Sequence, residues 1–170
     1  MVDLKRVGVE SAEILVHLWR ETFTQAYGEV HSAENIHAYC DRNYTPAKAI
    51  ALLSDPQVHC CTAFRQGKPV GYCIVNPHPC PIPLEGDAAE LKQIYILASE
   101  YGQGLGKTLF DQAVEIARDA HCTWLWLCVS DLNYRAQAFY RKLDFKPIGS
   151  GPVLTVGTDR LPSTILIRKL

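Results

Sequence analysis

With 170 residues, 48% hydrophobic and 21% charged, the chain has the length of one ordinary domain and the composition of a globular protein, which excludes disordered, fibrous and collagen-like architectures. The 17 Lys and Arg against 18 Asp and Glu leave a net charge of -1, without the basic excess of a nucleic-acid binder. No apolar run approaches the roughly 20 residues that span a bilayer, and Met1-Val2-Asp3-Leu4-Lys5-Arg6 turns charged at once, without a signal peptide's apolar core. The expectation is a single domain over residues 1–170, cytoplasmic, with neither nucleic acid nor membrane as partner.

In chain order, Asp3 to Val9 alternates as a first strand does, and Ser11 is placed to cap a helix through about Tyr27, with Ile14, Leu15, Leu18, Trp19 and Thr22 at helical spacing. Ser32 and Thr45-Pro46 open two further helices, and Ser54-Asp55-Pro56 stops the second. Val58–Phe64 and Val70–Val75 read as strands joined at Gln66-Gly67. The proline-rich run 77–83 forms a semi-rigid loop. A fourth strand at about Ala89–Leu97 leads through glycines into an amphipathic helix to about Ala120. Thr123–Val129 is apolar enough for a strand buried on both faces. A helix from Asn133 to Leu143 and strands near Phe145 and Thr164–Arg168 finish the chain. The pattern predicts an α/β (α+β) domain around one mixed sheet.

The seven cysteines are odd in number and form no Cys-x-x-Cys pair, so neither a disulfide framework nor a zinc knuckle is signalled. His59-Cys60-Cys61 and His78-x-Cys80 lack the convergent spacing of a tetrahedral site; no metal is expected. Residues 1–100 hold 12 acids and 8 bases, and residues 101–170 hold 6 acids and 9 bases. Such a division suits a cationic substrate beside an anionic cofactor.

The most informative segment is Tyr101-Gly102-Gln103-Gly104-Leu105-Gly106-Lys107-Thr108, between a strand and a helix. Glycines at alternate positions let backbone amides approach an anion, and the helix N-terminus adds its dipole. Lys107 puts a cation in the first turn, where an anion would have to justify it. The alternative is a tight turn whose glycines only permit close packing. A nucleotide P-loop, G-x-x-x-x-G-K-[ST], would require glycine at Tyr101, and G-x-G-x-x-G would require it at Lys107.

The loop resembles [RQ]-x-x-G-x-[GA], the pyrophosphate-binding motif of the GNAT superfamily of acetyl-coenzyme A-dependent N-acetyltransferases, with Tyr101 departing at the first position. Residues 129–145, containing Asn133, Ala136, Phe139-Tyr140 and Phe145, are similar to that family's N-x-x-A-x-x-F/L-Y-x-x-x-G-F segment, with Asp144 in place of its glycine. Gly67 to Tyr72 resembles its third-strand start. The likeness covers about residues 58 to 150, and the helical first third is similar to the polyamine (spermine/spermidine-type) branch. It implies a GNAT-like fold, a mixed, mostly antiparallel twisted sheet flanked by helices. It also implies direct attack of an amine on acetyl-CoA, and a homodimer as a common state.

By resemblance, Tyr140 serves the leaving thiolate, and a phenol of pKa about 10 suits that task. Asn133 contacts the pantetheine or caps its helix. Glu90 matches the catalytic glutamate of some members, acting directly or through water; others carry theirs in the fifth strand, where Cys128 stands. The alternative for Glu90 is a solvated strand end. Backbone groups of Ile94, Tyr95 and Ile96 run beside the pantetheine, with the Ile96 amide at the thioester carbonyl. Gly102, Gln103, Gly104, Leu105, Gly106 and Lys107 form the phosphate cradle, with Arg141 and Lys142 as further candidates. Residues 20–45 and 77–88 build the acceptor pocket, where Glu21, Glu29, Glu34, Asp41, Glu85 and Asp87 outnumber Arg20 and Arg42 and suit a small cationic amine. A non-catalytic coenzyme A sensor and a P-loop-type nucleotide enzyme remain the rival readings.

Overall fold

Strand β3 (Lys68–Asn76) is buried without a break from Val70 to Val75, as a strand covered on both faces must be. It lies inside a seven-stranded sheet of order β1-β2-β3-β4-β5-β9-β6. The other strands are β1 (Val2–Val7), β2 (His59–Arg65), β4 (Ala88–Ile96), β5 (Trp124–Ser130), β6 (Lys146–Ser150) and β9 (Ser163–Lys169). The computed structural model describes residues 1–170. All neighbours run antiparallel except β4 and β5, so the expected mixed, mostly antiparallel sheet is present.

Helices α1 (Ala12–Tyr27), α2 (Ala33–Asn43) and α3 (Pro46–Leu53) cover one face, packing Leu15, Leu18, Trp19 and Phe23 on Cys60, Tyr72 and Ile74. Helix α4 (Leu105–Asp119) covers the other with Leu109, Phe110 and Ala113 on Cys61, Cys73 and Leu125. Helix α5 (Tyr134–Lys142) adds Tyr140 to that side. Adjacent Cys60 and Cys61 thus face opposite layers, and His59 meets Arg6 at 2.5 Å, so no metal triad assembles from this run. No helix is long and apolar enough to cross a membrane.

Most local signals act as read. Ser32 accepts a hydrogen bond from the Asn35 amide and Thr45 from that of Lys48, with Pro46 in the first turn. Gln66 and Gly67 both take positive φ, 51° and 76°, the twist a two-residue hairpin favours. Ser11 is different. It makes no side-chain cap and is the one buried residue of a 3₁₀ turn, Val9–Ser11, while β1 ends already at Val7.

A hairpin of β7 (Leu154–Val156) and β8 (Asp159–Leu161) was not among the expected elements. Its strands are too short for alternation to register, and its tip turns at Gly157 with φ 60°. A Cβ there would also collide with the Asn35 amide. Val156 and Leu161 bury against the α1–α2 layer. Asp159 accepts from His31 Nδ1 at 2.6 Å and from Asn35 Nδ2 at 3.1 Å. The hairpin is therefore latched to α2 by one carboxylate.

Hydrogen bonds from His31 and then Asn35 hold the Asp159 carboxyl below its ordinary 3.8. A depressed folded pKa contributes stability that is present above the unfolded value and disappears as pH falls through the folded one. Asp159→Asn should lower the melting temperature at about pH 5, and the gap to wild type should close as pH is brought to about 3. A gap unchanged over that interval in thermal melts would show that the carboxylate charge does not hold the latch.

Candidate active site

Strands β4 and β5 pair only at Ala88–Glu90 with Trp124–Trp126. Beyond those residues β4 stays with β3 and β5 with β9, so a wedge opens between the two parallel strands. Leu97 N donates to Val70 O on β3 at 2.9 Å. Amides alternate sides along a strand, so those of Ile94 and Ile96 point away from β3, into the wedge. A bulge shifts the alternation just before them, the register passing from Val75–Leu91 to Ile74–Gln93 and leaving Lys92 extra. The bulge turns Gln93 toward the α1 layer, where Trp19 Nε1 donates to its Oε1 at 2.7 Å, and Tyr95 packs in that layer too.

The wedge leads to the glycine loop. A 3₁₀ turn, Ala98–Glu100, is fixed from beneath by the buried Glu100 carboxylate, which takes three hydrogen bonds from Arg65 of β2 at 2.7–3.1 Å. Gly102 and Gly104 then adopt φ 78° and 81°. Thr108 N is the first helical amide to find a partner, Gly104 O. The amides of Leu105, Gly106 and Lys107 are left free at the dipole's positive end.

A Cβ built on Gly102 or Gly104 meets nothing within 4 Å, whereas one on Gly106 would lie 3.4 Å from Phe139. Contact at 3.4 Å is ordinary, so crowding requires glycine at none of the three, and positive φ favours it at the first two. The first two leave open space over free amides, which fits a pyrophosphate. The loop offers backbone, not side chains: Gln103 Nε2 donates back to Ser99 O at 2.8 Å, Leu105 is buried, and Lys107 pairs with Asp111 one turn on. Arg141 and Lys142 occupy the last turn of α5, where the dipole favours cations without any ligand. Tyr101 lies flat under the Arg135 guanidinium, whose carbon is 3.1 Å from the ring centroid.

Tyr140 is 8% exposed, between Phe139 and Phe145 at ring separations of 5.4 and 5.5 Å. Burial, with Tyr27 adding to it, pushes its phenol well above the usual 10, so the hydroxyl remains a proton donor. Asn133 does cap α5, its Oδ1 accepting from Ala136 N at 3.1 Å, while Nδ2 donates to the Tyr27 hydroxyl at 3.3 Å. Tyr95 lies beside Tyr27, and burial pushes its phenol up too.

Glu90 stands at the closed end of the wedge, half-buried, in register with Asn76 on β3 and Trp126 on β5. It is close enough to Cys128 that its charge, after burial, raises that thiol. Asn76 Oδ1 is buried without a partner. A half-buried carboxylate beside an unsatisfied amide oxygen is a place where a donor such as water or an amine is wanted.

A sequence model of the acetyltransferase (GNAT) family matches residues 13–145. The chain belongs to the GNAT family. It is an acetyl-CoA-dependent N-acetyltransferase, which sets aside the nucleotide-enzyme reading. It is 29% identical over 161 residues to an uncharacterized N-acetyltransferase of Mycobacterium bovis, covering 94% of this chain and 97% of that one. It is 27% identical over 160 residues to the peptidyl-lysine N-acetyltransferase YjaB of Salmonella typhimurium, covering 92% of each. The fold is also that of the PaiA N-acetyltransferase from Thermoplasma acidophilum, crystallised in complex with coenzyme A. There the TM-score is 0.79 at 21% identity, over 100% of this chain and 99% of that one.

On the acceptor side of this acetyltransferase the acids divide. Glu21 pairs with His17, and Asp41 with Arg20 and His37. Glu29, Glu34, Glu85 and Asp87 form no ion pair and are exposed. A groove lined by Arg20, Thr24, Ile36 and Cys40 lies between α1 and α2, within the first of the two segments expected to build the acceptor pocket. Sequence reasoning missed His31 with Asp159, Arg65 with Glu100, and Asn76. The partners are 128 and 35 residues apart in the first two, and no local pattern links them.

Gly104→Ala places a Cβ over the free amides and opposes φ 81°. Losing charge-assisted bonds of about 1.5–3 kcal/mol should weaken acetyl-CoA binding by roughly 10- to 100-fold, read by calorimetry. Unchanged affinity in a folded variant would remove the loop from the cofactor site.

Proposed function

We propose that this acetyltransferase moves the acetyl group to a primary amine in one ternary complex, with Glu90 as base, Tyr140 as acid and a small polyamine as the acceptor. Bound acetyl-CoA supplies a thioester-activated acetyl group. Around it, the Ile96 amide donates toward the thioester carbonyl oxygen and the Ile94 amide, two residues back along the strand, faces the pantetheine arm. Glu90 takes, directly or through water, the proton that an ammonium of pKa about 10.4 must lose before attack. Tyr140 gives its proton to the sulfur as the C–S bond breaks and the C–N bond forms.

The observation that carries this reading is the wedge between β4 and β5, closed at Glu90 and leading to a glycine loop with free amides. Burial between Phe139 and Phe145 disfavours ionisation of the Tyr140 phenol, which suits a proton donor. Direct transfer is supported by the thiols. Burial pushes Cys60 up to about 12 and raises Cys40, Cys122 and Cys128. Cys61, lowered by its hydrogen bond with Cys73, is 1% exposed and out of reach of a substrate. A covalent acyl-enzyme needs an accessible thiolate.

A polyamine acceptor is supported by the four unpaired acids, Glu29, Glu34, Glu85 and Asp87, on the two segments expected to build the acceptor pocket. The relative YjaB is by name a peptidyl-lysine acetyltransferase, and lysine offers the same primary ammonium. Charge at a second and third amine separates the two acceptors.

Thiol release from acetyl-CoA should be fastest with spermidine or spermine in a panel that includes amino acids, aminoglycosides and lysine peptides. A peptide preference would reassign the acceptor without touching the chemistry. Tyr140→Phe should lower kcat by about 10-fold or more with little change in KM for acetyl-CoA. Glu90→Gln should lower kcat by about 100-fold near neutrality and recover as pH approaches that of the free amine. Full activity in either variant would strip that residue of its role.

A further inference from the structure

A cation in a helix's first turn opposes the dipole unless an anion meets it there. Arg135 holds that position in α5, exposed and without an acidic partner. The other cations near the glycine loop are taken: Arg65 binds Glu100 and Lys107 binds Asp111. Phe139, one turn further along α5, packs on Gly106 and fixes that helix against the first turn of α4. The guanidinium lies over Tyr101, the residue directly before Gly102. Tyr101 is also the one position where the loop departs from [RQ]-x-x-G-x-[GA].

We propose that Arg135, laid flat on the Tyr101 ring, is the cationic side-chain contact to the pyrophosphate of acetyl-CoA, supplied from α5 in place of the motif's own Arg or Gln. Stacking uses the face of the guanidinium and leaves its edge, with up to five N–H donors, free for phosphate oxygens. The aromatic ring sets the plane in which those donors lie, which a flexible exposed arginine would otherwise lose entropy to adopt. Tyrosine at the first motif position is thus a platform, and the charge has moved to the facing helix. The proposal rests on the glycine loop being the pyrophosphate cradle.

Calorimetric dissociation constants for acetyl-CoA and for its form lacking the 3′-phosphate test it in five variants. Arg135→Ala should weaken both ligands about equally, by roughly 10- to 100-fold, as the loss of a charged hydrogen bond gives. Tyr101→Phe keeps the platform and should bind as wild type. Tyr101→Ala should approach the Arg135→Ala value, and the double variant should lose little more. A loss with acetyl-CoA that vanishes for the dephosphorylated form would put Arg135 on the 3′-phosphate and overturn the assignment. Wild-type affinity in Arg135→Ala, with Gly104→Ala weakened, overturns it while leaving the cradle intact. Wild-type affinity in a folded Gly104→Ala removes the cradle and the proposal together. A lower ligand-free melting temperature for Arg135→Ala with unchanged affinity reduces the stack to a helix–loop brace.

Discussion

The chemistry of this chain depends on a parallel strand pair that stops pairing after three residues. Two neighbouring strands in a sheet ordinarily satisfy each other's amides and carbonyls along their shared length. Here β4 keeps β3, β5 keeps β9, and the residues beyond Glu90 and Trp126 turn unsatisfied backbone toward one another. Such a gap persists only where a ligand or water completes it. Both walls share one core on the α4 face, while on the other face β4 packs with the α1–α2 layer and β5 with β9 in a separate cluster of Trp126, Ile165 and Ile167. The same split explains why the bulge at Lys92 matters: it lets β4 present Gln93 and Tyr95 to one layer and Ile94 and Ile96 to the other.

The glycine loop, the proposed anion end of the site, follows the same logic. The loop contributes little charge of its own, because Lys107 is neutralised within its helix and Glu100 is an acid. Glu100 would repel a phosphate if it were free, but it is buried and bound by Arg65 from β2, so its effect is to stiffen the turn that precedes the glycines. The remaining attraction comes from three amides and a helix dipole, both backbone features. This is why glycine content rather than net charge marked the segment.

Legibility in the sequence followed the range of the interactions. Ser32, Thr45-Pro46 and Gln66-Gly67 work through neighbours a few residues away, and each was readable. Resemblance placed Ile94 to Ile96 beside the pantetheine, but the wedge itself was not legible, because no periodicity tells that Leu91 to Ile96 and Leu127 to Ser130 run parallel yet unpaired. Ser11 looked like Ser32, but tertiary packing buried its hydroxyl in a 3₁₀ turn and the cap was lost. The β7–β8 hairpin escaped because strands of three residues carry too few side chains for alternation. Its stability comes from Val156, Leu161 and a carboxylate reaching back 128 residues to His31.

Glu90 and Tyr140 show where reading residues one at a time runs out. As sequence, each was a plausible structural residue: a strand-end acid and an amphipathic core tyrosine. What changes their weight is environment. Tyr140 is buried between Phe139 and Phe145, so its ionised form is disfavoured. Glu90 has the opposite setting, half-open and facing an amide oxygen that has no donor. In the proposed reading, one titratable group kept protonated by burial and one left able to accept would serve as the acid and base that amine acylation requires. The wedge joins their settings, because its closed end holds the carboxylate at the last paired position while its far wall, β5, continues into the helix that carries the phenol.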